Sequence, residues 1–197
     1  MSFWFVWIGV VGIIISPPID NYLDASMMRH MIIQMPLLIF MGYLASRRLI
    51  NIDLSSINPY GLTGIIFFLG SLGFWMIPHS LDRTIISNWT DMLMHFNMLL
   101  AGFFLGKSIG LMPFILRTAI SIYFVGMLLS VSIIYLNYFS LLCASYTLEQ
   151  QKETGVMLFW FSIGLILWLI IVSARFMNSL EGLSKPGKNK SQDYNAI

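Results

Sequence analysis

Two short segments of this sequence each carry a histidine three residues after a methionine. The first is Met27-Met28-Arg29-His30-Met31 and the second is Met92-Leu93-Met94-His95-Phe96. Residues three apart lie on neighbouring positions of a helix surface, so each segment would present a thioether beside an imidazole. This ligand pair suits copper, particularly Cu(I). The sequence therefore predicts a copper site formed by His30, His95, Met27, Met31, Met92 and Met98.

Other polar residues lie close to these histidines in the sequence. Asp91 precedes His95 by four residues, so its carboxylate could accept a hydrogen bond from the ring and orient it without binding the metal. His79 is a further candidate ligand. The lone cysteine, Cys143, excludes a cysteine-rich zinc or iron–sulfur centre. We therefore expect a methionine and histidine site with Asp91 as its orienting residue.

The same residues allow two other interpretations. Methionine fills irregular gaps between helices, and the 14 methionines of an apolar chain need no metal. In a b-type haem protein, His30 and His95 would be the axial ligands, and Arg29 and Arg83 would lie near the propionates. Packing, copper and haem remain open on these residues alone.

The elements that must position these residues are too apolar for a water-facing surface. Of 197 residues, 57% are hydrophobic and 10% are charged, against about a quarter charged in a soluble domain. A bilayer span needs about 20 mostly apolar residues. We expect an all-α, polytopic membrane bundle of about six transmembrane helices, near residues 2–18, 27–46, 61–77, 92–111, 115–137 and 155–177. Residues 1–177 would form this single transmembrane domain, followed by a polar, basic tail at 178–197.

The basic residues divide unevenly between the two sides of such a bundle. Three fall on one side: Arg29, Arg83 and Lys152. Eight fall on the other: Arg47, Arg48, Lys107, Arg117, Arg175, Lys185, Lys188 and Lys190. Basic connections favour the cytoplasm. Both termini are therefore expected in the cytoplasm, and the three histidines on the external or periplasmic side of an inner or cytoplasmic membrane.

A stripe of small residues runs along the fourth predicted helix. Gly102, Gly106 and Gly110 recur every four residues, a pattern that lets a neighbouring helix approach closely in a bilayer. We expect these glycines to form a helix-packing face, within this chain or against another subunit.

Several function classes are excluded by what the sequence lacks. No predicted span carries a charge near its centre, which argues against a proton pump or an ion-coupled transporter. There is no phosphate-binding loop, HExxH motif or nucleophile elbow. The net charge of +2 gives no indication of nucleic-acid binding. We expect a protein that is not an enzyme by itself.

Three segments resemble one known family. His30-Met31-Ile32-Ile33-Gln34-Met35-Pro36-Leu37-Leu38 resembles the His-Met-x-x-His-x-Leu-Leu helix of the CtaG-type cytochrome oxidase assembly proteins and of a related small, uncharacterised archaeal and bacterial membrane family. His95 with Gly102-Phe103-Phe104 is similar to their second histidine-bearing helix. Glu149-Gln150-Gln151, followed by Gly155, Met157 and Trp160, resembles their Asp-Gln-Gln segment, with altered spacing. Gln34 stands where the family's second histidine would be.

The resemblance implies an accessory or assembly protein of a copper-dependent membrane enzyme, with copper as its cofactor. Because Gln34 replaces a family histidine, the sequence also allows a non-catalytic structural subunit without a metal, for example in a copper membrane monooxygenase of the ammonia- or methane-oxidising type. In either case the expected partners are the lipid bilayer and other integral membrane subunits.

Overall fold

The computed structural model describes residues 2–50, 52, 54, 56–138 and 142–184, and every regular element in these ranges is a helix. The α-helices are α1 (Ser2–Ile14), α2 (Pro17–Asp24), α3 (Met35–Leu44), α4 (Leu62–Trp75), α5 (Pro78–Ile86), α6 (Asn88–Ile109), α7 (Phe114–Asn137) and α8 (Leu148–Ser184). Two π-helical segments, Arg29–Gln34 and Ala45–Leu49, flank α3, and a 3-10 turn, Pro59–Gly61, precedes α4. The all-α prediction is confirmed.

Three of these helices, α6, α7 and α8, are long and apolar enough to cross a membrane. Two further pairs pass the same test only together, because each pair is bent: α1 with α2 by 53°, and the helix that begins at Pro59 with α5 by 72°. The described residues therefore contain three candidate spans, or up to five if each bent pair is one span. These helices support an integral membrane protein.

Prolines cause both bends. Ser16 and Ile77 have extended backbones, and Pro17 and Pro78 follow them as the first residues of α2 and α5. Proline fits the first turn of a helix but cannot continue a preceding one, because it lacks the N–H group. The helices expected near 2–18 and 61–77 therefore end at Ile14 and Trp75.

Helix α6 lies against α3 and α4, and its contact with α3 is unusually close. A Cβ atom added at Gly102 would collide with the carbonyl oxygen of Ile39, and one added at Gly42 would collide with that of Leu99. At Gly106 the obstacle is the Ser46 hydroxyl.

Gly110, at the C-terminal end of the glycine stripe, is packed less tightly. A Cβ at Gly110 would be 3.6 Å from the Arg47 guanidinium, an ordinary contact distance. Gly102 and Gly106 thus pack inside this chain, and Gly110 lies at the margin of that contact.

Helices α7 and α8 pack against each other, and α7 also contacts α4, where the Phe68 and Phe124 ring centroids lie 6.0 Å apart. The Tyr135 hydroxyl lies 3.8 Å from the Met31 sulfur. In the connection between α7 and α8, the Ala144 and Ser145 N–H groups each donate to the Asp82 carboxylate of α5 at 2.9 Å. The predicted division at residue 177 lies within α8, and residues 185–197 of the predicted tail lie outside the described residues.

Candidate metal centre

Six polar side chains meet where α2, the first π segment and α6 converge. His30, Gln34 and His95 are at most 1% exposed. The other three are aspartates, and their side chains are 14–17% exposed. We call this group the polar cluster; its members are Asp20, Asp24, His30, Gln34, Asp91 and His95. Burial of so many polar groups is costly unless they are paired with one another or with a ligand.

Local sequence explains how α2 and the π segment present these groups. Asp20 and Asp24 are four residues apart, so they share one face of α2. In the π segment, the Met35 N–H donates to the His30 carbonyl, five residues back, directly before Pro36. Because Pro36 has no N–H to offer the preceding turn, a widened turn at this position leaves fewer backbone bonds unmade. Such π turns occur frequently at functional sites.

His95 has polar partners at both ring nitrogens. Its Nδ1 lies 2.9 Å from the Asp91 carbonyl oxygen and 3.3 Å from Asp91 Oδ2, in agreement with the four-residue spacing. Its Nε2 lies 3.1 Å from Asp20 Oδ1 and 2.9 Å from Gln34 Nε2. With Nδ1–H donated to Asp91, the Nε2 lone pair faces the Asp20 carboxylate. Two such electron pairs repel each other unless a hydrogen-bond donor such as the Gln34 NH₂ group, a proton or a metal ion lies between them.

A second histidine is held in a similar way. His30 Nδ1 lies 2.7 Å from Asp24 Oδ1, so the carboxylate accepts the Nδ1 proton and Nε2 carries the lone pair. Carboxylates beside metal-binding histidines fix the tautomer in this manner. His30 Nε2 is buried and has no hydrogen-bond partner.

Two further atoms of the polar cluster are buried without a partner: Gln34 Oε1 and Asp91 Oδ1. Buried polar atoms normally have partners, so each such atom needs an explanation. Asp20, Asp91 and His95 offer ligand atoms that all lie within 4.8 Å of one another. Imidazole nitrogen and carboxylate oxygen are ligands that copper and zinc accept. The donor set and the unpartnered atoms therefore fit a metal ion.

The sequence-predicted methionine ligands have different positions. Met27, Met31 and Met98 are at most 4% exposed and belong to the apolar core. Met92 is 60% exposed, among Trp89, Leu93 and Phe96. Residues three apart differ by about 60° around a helix axis, which separates Met92 from the buried side on which His95 lies. The structure therefore does not bring Met92 to the polar cluster.

His79 is also separate. It is an exposed residue in the first turn of α5, next to the Pro78 bend. Among the predicted site residues, the structure brings His95 and Asp91 together, whereas His30 joins the cluster through Asp24 and lies outside the group of ligand atoms within 4.8 Å of one another. The structure adds Asp20, Asp24 and Gln34, which sequence reasoning did not assign as ligands.

Tyr146 and Cys143 lie in the connection between α7 and α8, outside the candidate spans. Burial raises the pKa of the Tyr146 phenol well above its ordinary value, and the Asp24 carboxylate acts in the same direction. Burial also raises the pKa of the Cys143 thiol to about 12, with a smaller contribution from Asp82. Cys143 is therefore a neutral thiol at physiological pH, and metals bind the thiolate form.

The fold and the cluster define a helical membrane protein with a buried group of imidazole, carboxylate and amide side chains. No protein-family model, curated protein or solved structure matches this chain.

Proposed function

We propose that this protein is an integral membrane accessory or assembly protein of a copper-dependent membrane complex, and that it binds copper at the polar cluster. The observation that carries the proposal is the meeting of Asp20, Asp91 and His95 from two helices, with ligand atoms within 4.8 Å of one another. His95 would bind through nitrogen, and Asp20 and Asp91 through oxygen, with His30 as a further nitrogen ligand from outside this group. Asp24 would orient His30.

The charge of the cluster supports a cation as its ligand. Three carboxylates lie largely buried beside two histidines. Carboxylates taken out of water are costly unless a positive charge compensates them. A copper ion would provide that charge. The resemblance of residues 30–38 to the CtaG-type helix points to the same metal.

We further propose six spans, with both termini in the cytoplasm and the polar cluster near the external face of an inner or cytoplasmic membrane. The three unbroken helices would account for three spans, and each bent pair would be one more. The sixth would be the continuous helical run from Arg29 through α3 to Leu49. The uneven distribution of lysine and arginine supports this orientation.

One observation favours a second candidate, a metal-free structural subunit of a larger membrane complex. Most of the methionines of the predicted copper site pack in the apolar core, where they serve as gap-filling residues. The haem alternative has less support, because both ring nitrogens of His95 already have polar partners.

Copper binding to the purified, detergent-solubilised protein tests the proposal. We expect one copper per chain, retained through gel filtration, and loss of binding in the double variant His30→Ala, His95→Ala. His79→Ala is the matched control, since His79 is exposed and lies outside the cluster. Binding that survives the double variant would refute the proposal. A native preparation that holds companion subunits but no copper would favour the structural subunit.

A further inference from the structure

Three atoms of the polar cluster, one each from Asp20, Gln34 and His95, form a small triangle. Gln34 Nε2 lies 2.7 Å from Asp20 Oδ1 and 2.9 Å from His95 Nε2, and these last two atoms are 3.1 Å apart. Two ligands of one metal ion, with bonds of about 2.0–2.1 Å and angles near 90–110°, lie about 2.8–3.4 Å from each other. The triangle therefore has approximately the size of one face of a metal coordination shell.

Only one corner of this triangle has the wrong atom for a metal ligand. Asp20 presents an oxygen and His95 presents a nitrogen lone pair, whereas Gln34 presents its NH₂ group. The Gln34 oxygen, Oε1, is buried and has no partner. The two ends of an amide have nearly the same shape, and the terminal torsion of glutamine has two broad preferred states. A half-turn of the amide would exchange nitrogen for oxygen at the corner, where a bound metal ion would be the partner of Oε1.

We propose that Gln34 is a metal ligand through its amide oxygen, and that the triangle binds divalent copper in preference to Cu(I). This inference rests on the proposed copper function and specifies its ligand set and oxidation state. Gln34 Oε1 would join Asp20 Oδ1 and His95 Nε2 around the ion, with Asp91 as the adjacent carboxylate and His30 as the further nitrogen ligand proposed above.

The chemistry of the donors sets the preference. Oxygen donors together with imidazole nitrogen favour divalent ions, whereas Cu(I) prefers thioethers and thiolates. The thioether of Met31 already lies near the Tyr135 hydroxyl, and the Cys143 thiol is neutral. Among divalent ions, such sites hold Cu²⁺ more tightly than Zn²⁺.

The Gln34 amide can also bridge Asp20 and His95 when no metal is bound. With its NH₂ inward, Gln34 donates to the Asp20 carboxylate and to the His95 lone pair. With its oxygen inward, it would join them around the ion. A histidine at this position, as in the CtaG-type motif, would offer one nitrogen and no such reversal.

Substitutions of Gln34 in the full chain separate a ligand from a structural hydrogen-bond donor. Affinities for Cu²⁺, Zn²⁺ and Cu(I) are measured by competition with chelators on purified protein. We expect Gln34→Leu to weaken Cu²⁺ binding at least tenfold and to leave Cu(I) binding nearly unchanged. Gln34→Glu keeps the oxygen and loses the NH₂ donor, so we expect it to bind Cu²⁺ at least as tightly as the wild type.

If Gln34 were only a donor, Gln34→Glu would weaken Cu²⁺ binding as much as Gln34→Leu does, and that result would overturn the inference. Wild-type protein that prefers Cu(I) to Cu²⁺ would also overturn it. In both cases the proposed copper function stands, provided that Asp20→Asn still reduces binding. Wild-type protein that binds no copper at all refutes the proposed function instead. Should Gln34→Leu fail to fold, Gln34→Glu alone decides between the two roles.

Discussion

His30 and Asp24 form a hydrogen-bonded pair in which the imidazole is fully buried and the carboxylate is nearly so, with 2.7 Å between Nδ1 and Oδ1. The pair fixes the ring as the Nδ1–H tautomer and leaves Nε2 as a lone pair without a partner. In a protein that binds metal, this is the arrangement of a histidine ligand and the carboxylate that orients it.

Replacement of Asp24 should therefore weaken copper binding while the fold is retained. We expect Asp24→Asn to reduce copper affinity about 10- to 100-fold, the usual effect of losing such an orienting carboxylate. The measurement is a chelator competition titration, with thermal unfolding as the check on folding. Glu153→Gln is the matched control, because Glu153 is an exposed carboxylate at the start of α8. Equal affinity in the two variants would show that Asp24 has no part in the site.

The glycine face of α6 should respond as an internal contact and not as a subunit interface. Gly102→Leu would force a side chain against the Ile39 carbonyl, and overpacking costs about 1–3 kcal/mol even where side chains can yield. We expect a loss of at least about 3 kcal/mol, seen as a lower unfolding temperature in detergent. Gly126→Leu on α7 is the control, since nothing lies within 4 Å of a Cβ there. A Gly102→Leu protein that is stable but dissociates from partners would contradict this assignment.

The sequence predicts the helices and part of the polar cluster, for reasons that are local. The contact of Asp91 with His95 follows from their spacing along one helix. The positions of Asp20 and Asp24 along the chain do not relate them to His95. Their place beside His95 depends on the 53° bend before α2. The prolines predict a break in the helix but not its direction.

Met92 shows that spacing along one helix does not by itself predict which residues share its buried face. A spacing of three residues does place Met92 and His95 on neighbouring positions of α6, yet the edge of the buried face passes between them. That edge is set by the helices that pack on α6, which the sequence of α6 alone does not contain. Gln34 stands where the CtaG-type motif has its second histidine. Its contacts with Asp20 and His95 come from the meeting of three separate elements, which the local sequence does not predict.

The connection between α7 and α8 should depend on Asp82. Its carboxylate accepts two backbone N–H groups, from Ala144 and Ser145, and a hydrogen bond to a charged group contributes about 1.5–3 kcal/mol. Asp82→Ala should therefore loosen this connection and expose Cys143, which is 1% exposed in the folded chain. Maleimide labelling of Cys143 at neutral pH should become at least tenfold faster. An unchanged labelling rate would show that Asp82 does not hold the connection in place.

The pH dependence of the same labelling tests the state of the thiol in the wild-type protein. Its pKa, raised to about 12 by burial, means that the reactive thiolate remains a minor species well above pH 9. In the folded state the rate should therefore rise about tenfold per pH unit from pH 8 to pH 11. In denaturant, where the ordinary pKa is near 8.5, the rate should level off above about pH 9. A plateau near pH 9 in the folded protein would contradict reaction of the buried thiol in place and would show instead that labelling requires local opening. Because Cys143 is the only cysteine, no background substitution is needed.

The proposed orientation can be tested with two exposed positions that flank α4 in the sequence, one before it and one after it. His79 is exposed in α5, which follows the 72° bend, and Ile57 is 68% exposed before Pro59. In a Cys143→Ala background, a membrane-impermeant maleimide should label His79→Cys in intact cells and Ile57→Cys only after permeabilisation. The reverse pattern would place the polar cluster on the cytoplasmic side, where a copper protein would receive metal from the cytoplasm. Labelling of both variants in intact cells would mean that α4 does not cross the membrane, and the count of six spans would be wrong. The polar cluster depends on contacts among α2, the first π segment and α6, so none of these labelling patterns would change its geometry.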